Sequence, residues 1–296
     1  MNMNIENTPK IHFILPGGGV RGAFQAGFLY KLFSKYRDYF TISKIDGTSV
    51  GSINGIVILS NEYELLKELW FNIHNLNDLF NNWSNSRLFN RIISYYQGFY
   101  NKGLFSTKKI NNLLINNIQE SWNKNNENIK KKFSCVVVNV DNAATEYIDG
   151  DHKNILEYVI ASASPWVITN PKKINNCLYT DGCLLETYPI KYVDKTNADL
   201  TVIVGYDQEH FNFVPSKNSH LLEYLATLID IARYNSNNTI EMKKLIESPD
   251  IIKLVNPMKI SFIDFNSENI QYGFIQGTEF ADTFYETYLS SNNTDL

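Results

Sequence analysis

Seven residues, Asp46-Gly47-Thr48-Ser49-Val50-Gly51-Ser52, restrict the fold of this chain more than any other stretch. Gly47, Ser49 and Gly51 make the pattern G-x-S-x-G. A serine held in a strained strand-to-helix turn is tolerated only where the residues two places away have no side chain, and the strain leaves its hydroxyl exposed. The flanks suit such a turn. Thr41–Ile45 is short and β-branched like a strand, and Val50–Leu59 is apolar enough to run on as a buried helix.

The alternation continues on either side. Lys10–Leu15 reads as a buried first strand, ended by Pro16 and the run Gly17-Gly18-Gly19-Val20-Arg21-Gly22, and Ala23–Tyr36 as a helix apolar on much of its circumference. Helices are expected at Glu62–Trp70, Thr107–Ile118 (with Ser106 or Thr107 as N-cap), Asn154–Ala163, His220–Leu245 and Ser267–Tyr288. Strands are expected at Phe133–Val140, at Thr145–Ile148 across an Asp-Asn turn, at Leu200–Gly205 and at Ile251–Val255, with Ile174–Thr180 leading into Asp181-Gly182-Cys183. Ser121–Lys132 reads as a polar connection. Asn72–Lys102 has neither period; its aromatic residues suit an irregular cap over a site or ordinary core. Strand–helix alternation of this kind predicts an α/β fold with a mostly parallel sheet covered by helices on both faces. With no internal repeat and no Pro/Gly/Ser linker, residues 10–290 are expected to form one domain between a mobile leader, 1–9, and a mobile tail, 291–296.

A serine hydroxyl becomes a useful nucleophile only with a base to take its proton and donors to bind the oxyanion that forms. The glycine loop sits between a strand and a helix N-terminus, so it can turn several backbone N–H groups towards one point. It also spells G-x-G-x-x-G through Gly17, Gly19 and Gly22, the dinucleotide fingerprint, which requires an acid ending the second strand. Asp38 precedes that strand and Asp46 runs straight into the serine turn, so the fit to a dinucleotide is poor. Arg21 is expected to pin the loop by bonding carbonyls or to lie on the surface.

The base is harder to find. Among His12, His74, His152, His210 and His220, only His210 or His220 fits the order serine, acid, histidine, and both sit in polar surroundings. His12, inside the first strand, reads as a satisfied core histidine. Asp181, followed by Gly182 at the end of an apparent strand, has a more constrained context, and a carboxylate bonded to the hydroxyl can take the proton directly.

Together these residues resemble the patatin-like family of lipid acyl hydrolases. The resemblance rests on Gly17-Gly18-Gly19-Val20-Arg21-Gly22, on Gly47-Thr48-Ser49-Val50-Gly51 and on Asp181-Gly182-Cys183, with Ala161-Ser162-Ala163-Ser164-Pro165 similar to a fourth family segment and Gly277 in the closing helix. It implies a three-layer α/β/α fold and a Ser-Asp dyad of Ser49 as nucleophile and Asp181 as proton acceptor. It also implies an oxyanion loop of Gly17, Gly18, Gly19, Arg21 and Gly22, elbow glycines Gly47 and Gly51, and Gly182 supporting the acid. The implied activity is phospholipase A-type hydrolysis of fatty-acyl esters, with no cofactor and no metal. The alternatives are a Ser-His-Asp esterase and a degenerate lipid-binding member. Cys183 stands where the family has Gly or Ala.

Composition narrows the partners. With 27 Lys and Arg against 31 Asp and Glu, the net charge is −4, and the longest block of like charge is Lys130-Lys131-Lys132, so no nucleic-acid footprint is present. Three cysteines, Cys135, Cys177 and Cys183, fit neither a disulfide framework nor a zinc site. A reducing, cytoplasmic setting is expected, with no signal peptide, no membrane span and only peripheral contact with a membrane phospholipid or other lipid substrate. Delivery into another cell is left open, and the sequence identifies no protein activator.

Overall fold

The computed structural model describes residues 8–79, 103–206, 224, 227–231, 245, 247–256 and 260–290. Residues 1–7 and 291–296 of the expected leader and tail lie outside that set. So do most of the aromatic stretch up to Lys102, most of the helix expected from His220 to Leu245, and both His210 and His220.

The elements follow in chain order. β1 (Lys10–Leu15) leads through the glycine loop into α1 (Gly22–Lys35), then β2 (Thr41–Thr48), α2 (Val50–Leu59), α3 (Tyr63–Phe71) and the single turn α4 (Leu76–Leu79). β3 (Gly103–Phe105), α5 (Lys108–Lys124), α6 (Glu127–Lys130), β4 (Phe133–Asn139) and β5 (Ala144–Asp149) come next. After α7 (Ile155–Ser162) come β6 (Val167–Thr169), β7 (Lys172–Ile174), β8 (Cys177–Asp181), β9 (Leu200–Tyr206), β10 (Ile251–Asn256) and α8 (Ser267–Phe284). The main sheet runs β10-β9-β1-β2-β4-β8-β7, with β5 also on β4. β10, β9, β1, β2 and β4 are mutually parallel. β5 and β8 run antiparallel to β4, and β7 antiparallel to β8. The expected α/β fold with a mostly parallel sheet flanked by helices is what the chain adopts.

Two expected segments differ. Ile174–Thr180 is not one strand: Asn175 and Asn176 have φ of 49° and 70° and turn β7 back into β8. Asparagine tolerates this left-handed conformation, which the two-residue hairpin turn requires. Ser121–Lys132 is no mere connection. α5 continues through Ser121 to Lys124 because Leu114, Ile118 and Trp122 keep one buried stripe, and Asn126 then caps α6 by accepting from the Ile129 N–H.

Alternation along β1 sorts the core. Ile11, Phe13 and Leu15 pack into the main cluster with α1, α2, α7 and α8, where Phe13 lies edge-on to Phe40 with ring centroids 6.0 Å apart. Each such fully buried ring contributes roughly 1.5–3 kcal/mol. His12 and Ile14 face the other way, and Ile14 packs there with Ile203 and Tyr188. The backbones of α1 and α8 come close enough that a β-carbon on Gly27 or Gly277 would stand 1.9 or 2.1 Å from a carbonyl oxygen of the opposite helix. His12 is indeed a satisfied core residue. Its Nε2 lies 2.8 Å from Asp46 Oδ2 and its Nδ1 3.2 Å from Thr196 Oγ1, while Ser134 Oγ donates to the other Asp46 oxygen. Asp46 is thereby consumed inside the sheet, away from any ligand role.

Strand pairing also positions the site. β5 pairs with residues 134–139 of β4, β2 with 133–136 and β8 with 137–139. A strand has two edges, so β2 and β8 must share the edge that β5 leaves open. β2 ends with Thr48 opposite Val136, and β8, running the other way, ends with Asp181 opposite Val137. Two strand ends 133 residues apart meet on adjacent residues of one strand.

Candidate active site

Ser49 follows the last residue of β2 and takes φ 56°, ψ −126° at the N-cap of α2. A non-glycine residue held there costs about 1–3 kcal/mol, so the surroundings must enforce it. They do so sterically and by hydrogen bonding. A β-carbon on Gly51 would lie 2.0 Å from the Leu15 carbonyl oxygen, and one on Gly47 would lie 2.5 Å from Ser52 Cα. The Ser49 N–H donates to Ser162 Oγ at 2.8 Å, and that hydroxyl donates onward to the Val136 carbonyl at 2.6 Å. Ser52 Oγ donates to the Ser49 carbonyl at 2.6 Å.

Freed from capping its helix, Ser49 Oγ donates to Asp181 Oδ2 at 2.6 Å. Asp181 is 5% exposed, and its other oxygen accepts from the Cys183 N–H at 2.8 Å, which aims Oδ2 at the serine. A β-carbon on Gly182 would strike the Val136 carbonyl oxygen at 2.5 Å, so only glycine lets the chain turn this close to β4.

The glycine loop runs beside this pair. The Gly17 N–H donates to the Thr187 carbonyl, the Val20 N–H to Phe262, the Arg21 N–H to Gly18, and the Gly22 N–H back to the carbonyls of Gly19 and Val20. Among the described residues this leaves the N–H groups of Gly18 and Gly19, and both residues line the cavity that holds Ser49 and Asp181. Gly19 has φ +57°, and a β-carbon there would stand 2.1 Å from the Phe262 carbonyl oxygen. Two buried amides hold the ends of the loop. Gln25 Nε2 donates to the Pro16 and Val204 carbonyls, and Asn54 Nδ2 donates to the Gly22 carbonyl while Asn54 Oδ1 accepts from Trp70 Nε1.

From Ser49 the cavity, of about 170 Å³, extends between apolar walls. α3 supplies Leu66, Leu69 and Trp70, α5 supplies Ile110, Leu113 and Leu114, and Phe262 and Phe265 close another side. Such a space suits a hydrocarbon chain with one polar end held at the serine.

The model of one family, patatin-like phospholipase, matches residues 13–194, well over half of the 296-residue chain. The protein belongs to the patatin-like phospholipase family. No curated protein matches its sequence. Among solved structures, VipD from Legionella pneumophila is similar in shape, with a TM-score of 0.46 and 12% identity over 94% of this chain and 67% of that one.

In this member of the family the segments singled out in the sequence converge. Ser49, Asp181, Gly18 and Gly19 share the cavity; Gly47, Gly51 and Gly182 make the close approaches beneath it; and Gly17 lies against Ser49 and Cys183. Gly17, Arg21 and Gly22, expected in the oxyanion loop, have their own N–H groups engaged elsewhere, unlike those of Gly18 and Gly19 among the described residues. The Arg21 side chain bonds the Ile260 carbonyl and Asp230. Of the histidines, His12 is buried in the sheet, His74 bonds Ser267 Oγ, and His152 accepts from the Asn154 N–H.

Sequence reasoning missed the part played by Ser162, read only as one of a run of small residues, and missed that the helices expected at Glu62–Trp70 and Thr107–Ile118 wall the cavity. Ile110, Leu113 and Leu114, and likewise Leu66, Leu69, Trp70 and Ile73, recur at helical spacing, a signal that cannot distinguish core from cavity wall. Among the described residues no helix is long and apolar enough to cross a membrane, and no group of three or more His, Cys, Asp or Glu is placed to hold a metal.

Proposed function

We propose that this chain is a serine lipid acyl hydrolase of the phospholipase A type, working through a Ser49–Asp181 dyad. The observation that carries the proposal is the 2.6 Å hydrogen bond from Ser49 Oγ to Asp181 Oδ2 at the polar end of an apolar cavity. Asp181 takes the hydroxyl proton as Ser49 attacks the ester carbonyl, so no free alkoxide forms. The oxyanion is held by the N–H groups of Gly18 and Gly19, each donor being worth about 3 kcal/mol in the transition state. Asp181 returns the proton to the departing lysolipid oxygen, then activates the water that releases the fatty acid and restores Ser49.

The substrate is reached by peripheral contact with a lipid surface. In support, Trp166 and Leu184 line the cavity yet are 39% and 48% exposed. Leu185, at 45%, and Leu228, at 62%, are next in sequence to the cavity-lining Leu184 and Ile229; single exposed leucines would be unremarkable, but several on or beside residues that line one cavity are not.

Lipid profiling of phospholipid vesicles incubated with the wild type, Ser49→Ala and Asp181→Asn tests the proposal. Free fatty acid and lysolipid should accumulate only with the wild type, and a fluorophosphonate should label the wild type at Ser49. Identical profiles for all three proteins across a broad lipid panel would sink it.

A further inference from the structure

Several of the outside contacts that grip the Gly17–Gly22 loop come from the C-terminal third of the chain. Arg21 Nε and Nη2 donate to the Ile260 carbonyl at 2.9 and 2.7 Å, the Val20 N–H donates to the Phe262 carbonyl at 2.9 Å, and Asn256 Nδ2 donates to the Arg21 carbonyl at 3.0 Å. One of the grips is ionic. Asp230, 6% exposed, accepts from Arg21 Nη2 at 3.2 Å through Oδ2 and from Nη1 at 3.5 Å through Oδ1. The guanidinium is thus held in one plane between a carbonyl and a carboxylate, as its fixed fork of donors allows and a lysine would not.

We infer that Asp230 is a positioning residue for the oxyanion donors, acting through Arg21. Only Val20 separates Arg21 from Gly19, so rotation of an unanchored Arg21 backbone would swing the Gly18 and Gly19 N–H groups off the point beside Ser49. Gly19 cannot resist that motion itself, because glycine at φ +57° has no side chain to lock it. A carboxylate in contact with the guanidinium removes the freedom without touching substrate. Its placement gives it a second connection. Asp230 lies among the helical residues 227–231, where Ile229 lines the cavity and Leu228 is exposed, so the residue that anchors the loop is carried by the same turn as part of the cavity wall. The catalytic half of this inference rests on the dyad proposed above; the anchoring half stands on the ion pair alone.

The test uses the full chain with Asp230→Asn, which keeps shape and removes charge, and Asp230→Glu, which keeps charge. Two readouts are needed: steady-state hydrolysis of a soluble p-nitrophenyl butyrate, and hydrogen exchange of the amides in the peptide spanning residues 16–22. Asp230→Asn should lower kcat about 10- to 100-fold with KM changed less than about 3-fold, the pattern of a lost transition-state interaction. Loop exchange should rise several-fold, and Asp230→Glu should lie nearer the wild type on both measures. Unchanged kcat together with unchanged loop exchange would overturn the inference, as would a rise in KM with kcat intact. If Asp230→Asn fails to fold, Asp230→Glu alone decides, because one added methylene disturbs loop exchange only if the grip matters. A wild type that hydrolyses no ester would count against the dyad, and the loop exchange would then judge the anchor by itself.

Discussion

Cys183 presses its thiol against Gly17 so closely that a β-carbon on that glycine would stand 2.1 Å from Sγ and 2.7 Å from Ser49 Cβ. Cys183 has therefore used the space in front of the loop, and the Ser49–Asp181 pair tolerates it only because Gly17 has no side chain. Gly17→Ala should push either the thiol or the serine aside. Ester hydrolysis is expected to fall at least about 100-fold, as small displacements of reacting groups do. Cys183→Gly should remove the nearer clash, so the double variant should recover part of the loss. A double-mutant cycle on kcat/KM that comes out strictly additive would refute the coupling.

Ser162 holds Ser49 by its backbone. Its hydroxyl accepts from the Ser49 N–H and donates to the Val136 carbonyl, and it is wholly buried. Ser162→Ala removes the partner of both groups at once and leaves them unsatisfied beside β4, at a cost of about 1–3 kcal/mol each before relaxation. A fall of several degrees in Tm is expected, with a loss of kcat larger than the loss of stability alone explains, because Ser49 is then free to leave its strained φ. Ser162→Thr, which keeps the hydroxyl, should retain more activity than alanine. Thermal denaturation and ester kinetics on the purified variants check both expectations.

What was legible in the sequence was what local chemistry dictates. The elbow could be read because Gly47 and Gly51 must be glycines wherever a serine adopts that turn, and β4 could be read because Val136-Val137-Val138 suits nothing but a buried strand. Asp181 was identifiable only as a constrained carboxylate. That it meets Ser49 depends on β2 and β8 ending head to head on one edge of β4, a matter of register between strands far apart in the chain. Ser162, Asp230 and the cavity walls belong to the same class: each matters through a partner that no spacing reveals. The Asn175–Asn176 turn, by contrast, was available as a signal and was passed over in favour of one continuous strand.

Burial gives stability a pH dependence near the site. Glu186, a few residues beyond the dyad acid, accepts a hydrogen bond from Tyr147 Oη, yet burial outweighs that bond and holds its carboxyl above the ordinary value of 4.5. A raised acid binds its proton more tightly in the folded state than in the unfolded one. Between the ordinary value and the folded one, stability therefore falls as pH rises. Glu186→Gln keeps the acceptor oxygen and deletes the titration. In urea unfolding from pH 4.5 upward the wild type should lose stability relative to this variant, and parallel curves would exclude Glu186 as the cause.

The apolar rim yields a prediction that separates binding from chemistry. Leu185 and Leu228 are 45% and 62% exposed, each next in sequence to a residue that lines the cavity, and neither lines the cavity itself. Transfer of one such side chain from water into a lipid interface is worth about 1–2 kcal/mol, by its apolar area. Leu185→Ser and Leu228→Ser should each weaken binding to phosphatidylcholine vesicles about 5- to 30-fold, and together multiplicatively. Because the contribution is apolar, the loss should persist at 0.5 M salt, where electrostatic attachment is screened within roughly 4 Å. Hydrolysis of a soluble short-chain ester does not require the rim and should hold near the wild-type rate. Vesicle sedimentation in low and high salt measures the first effect and p-nitrophenyl butyrate turnover the second; undiminished sedimentation of the double variant would place the lipid contact on another face.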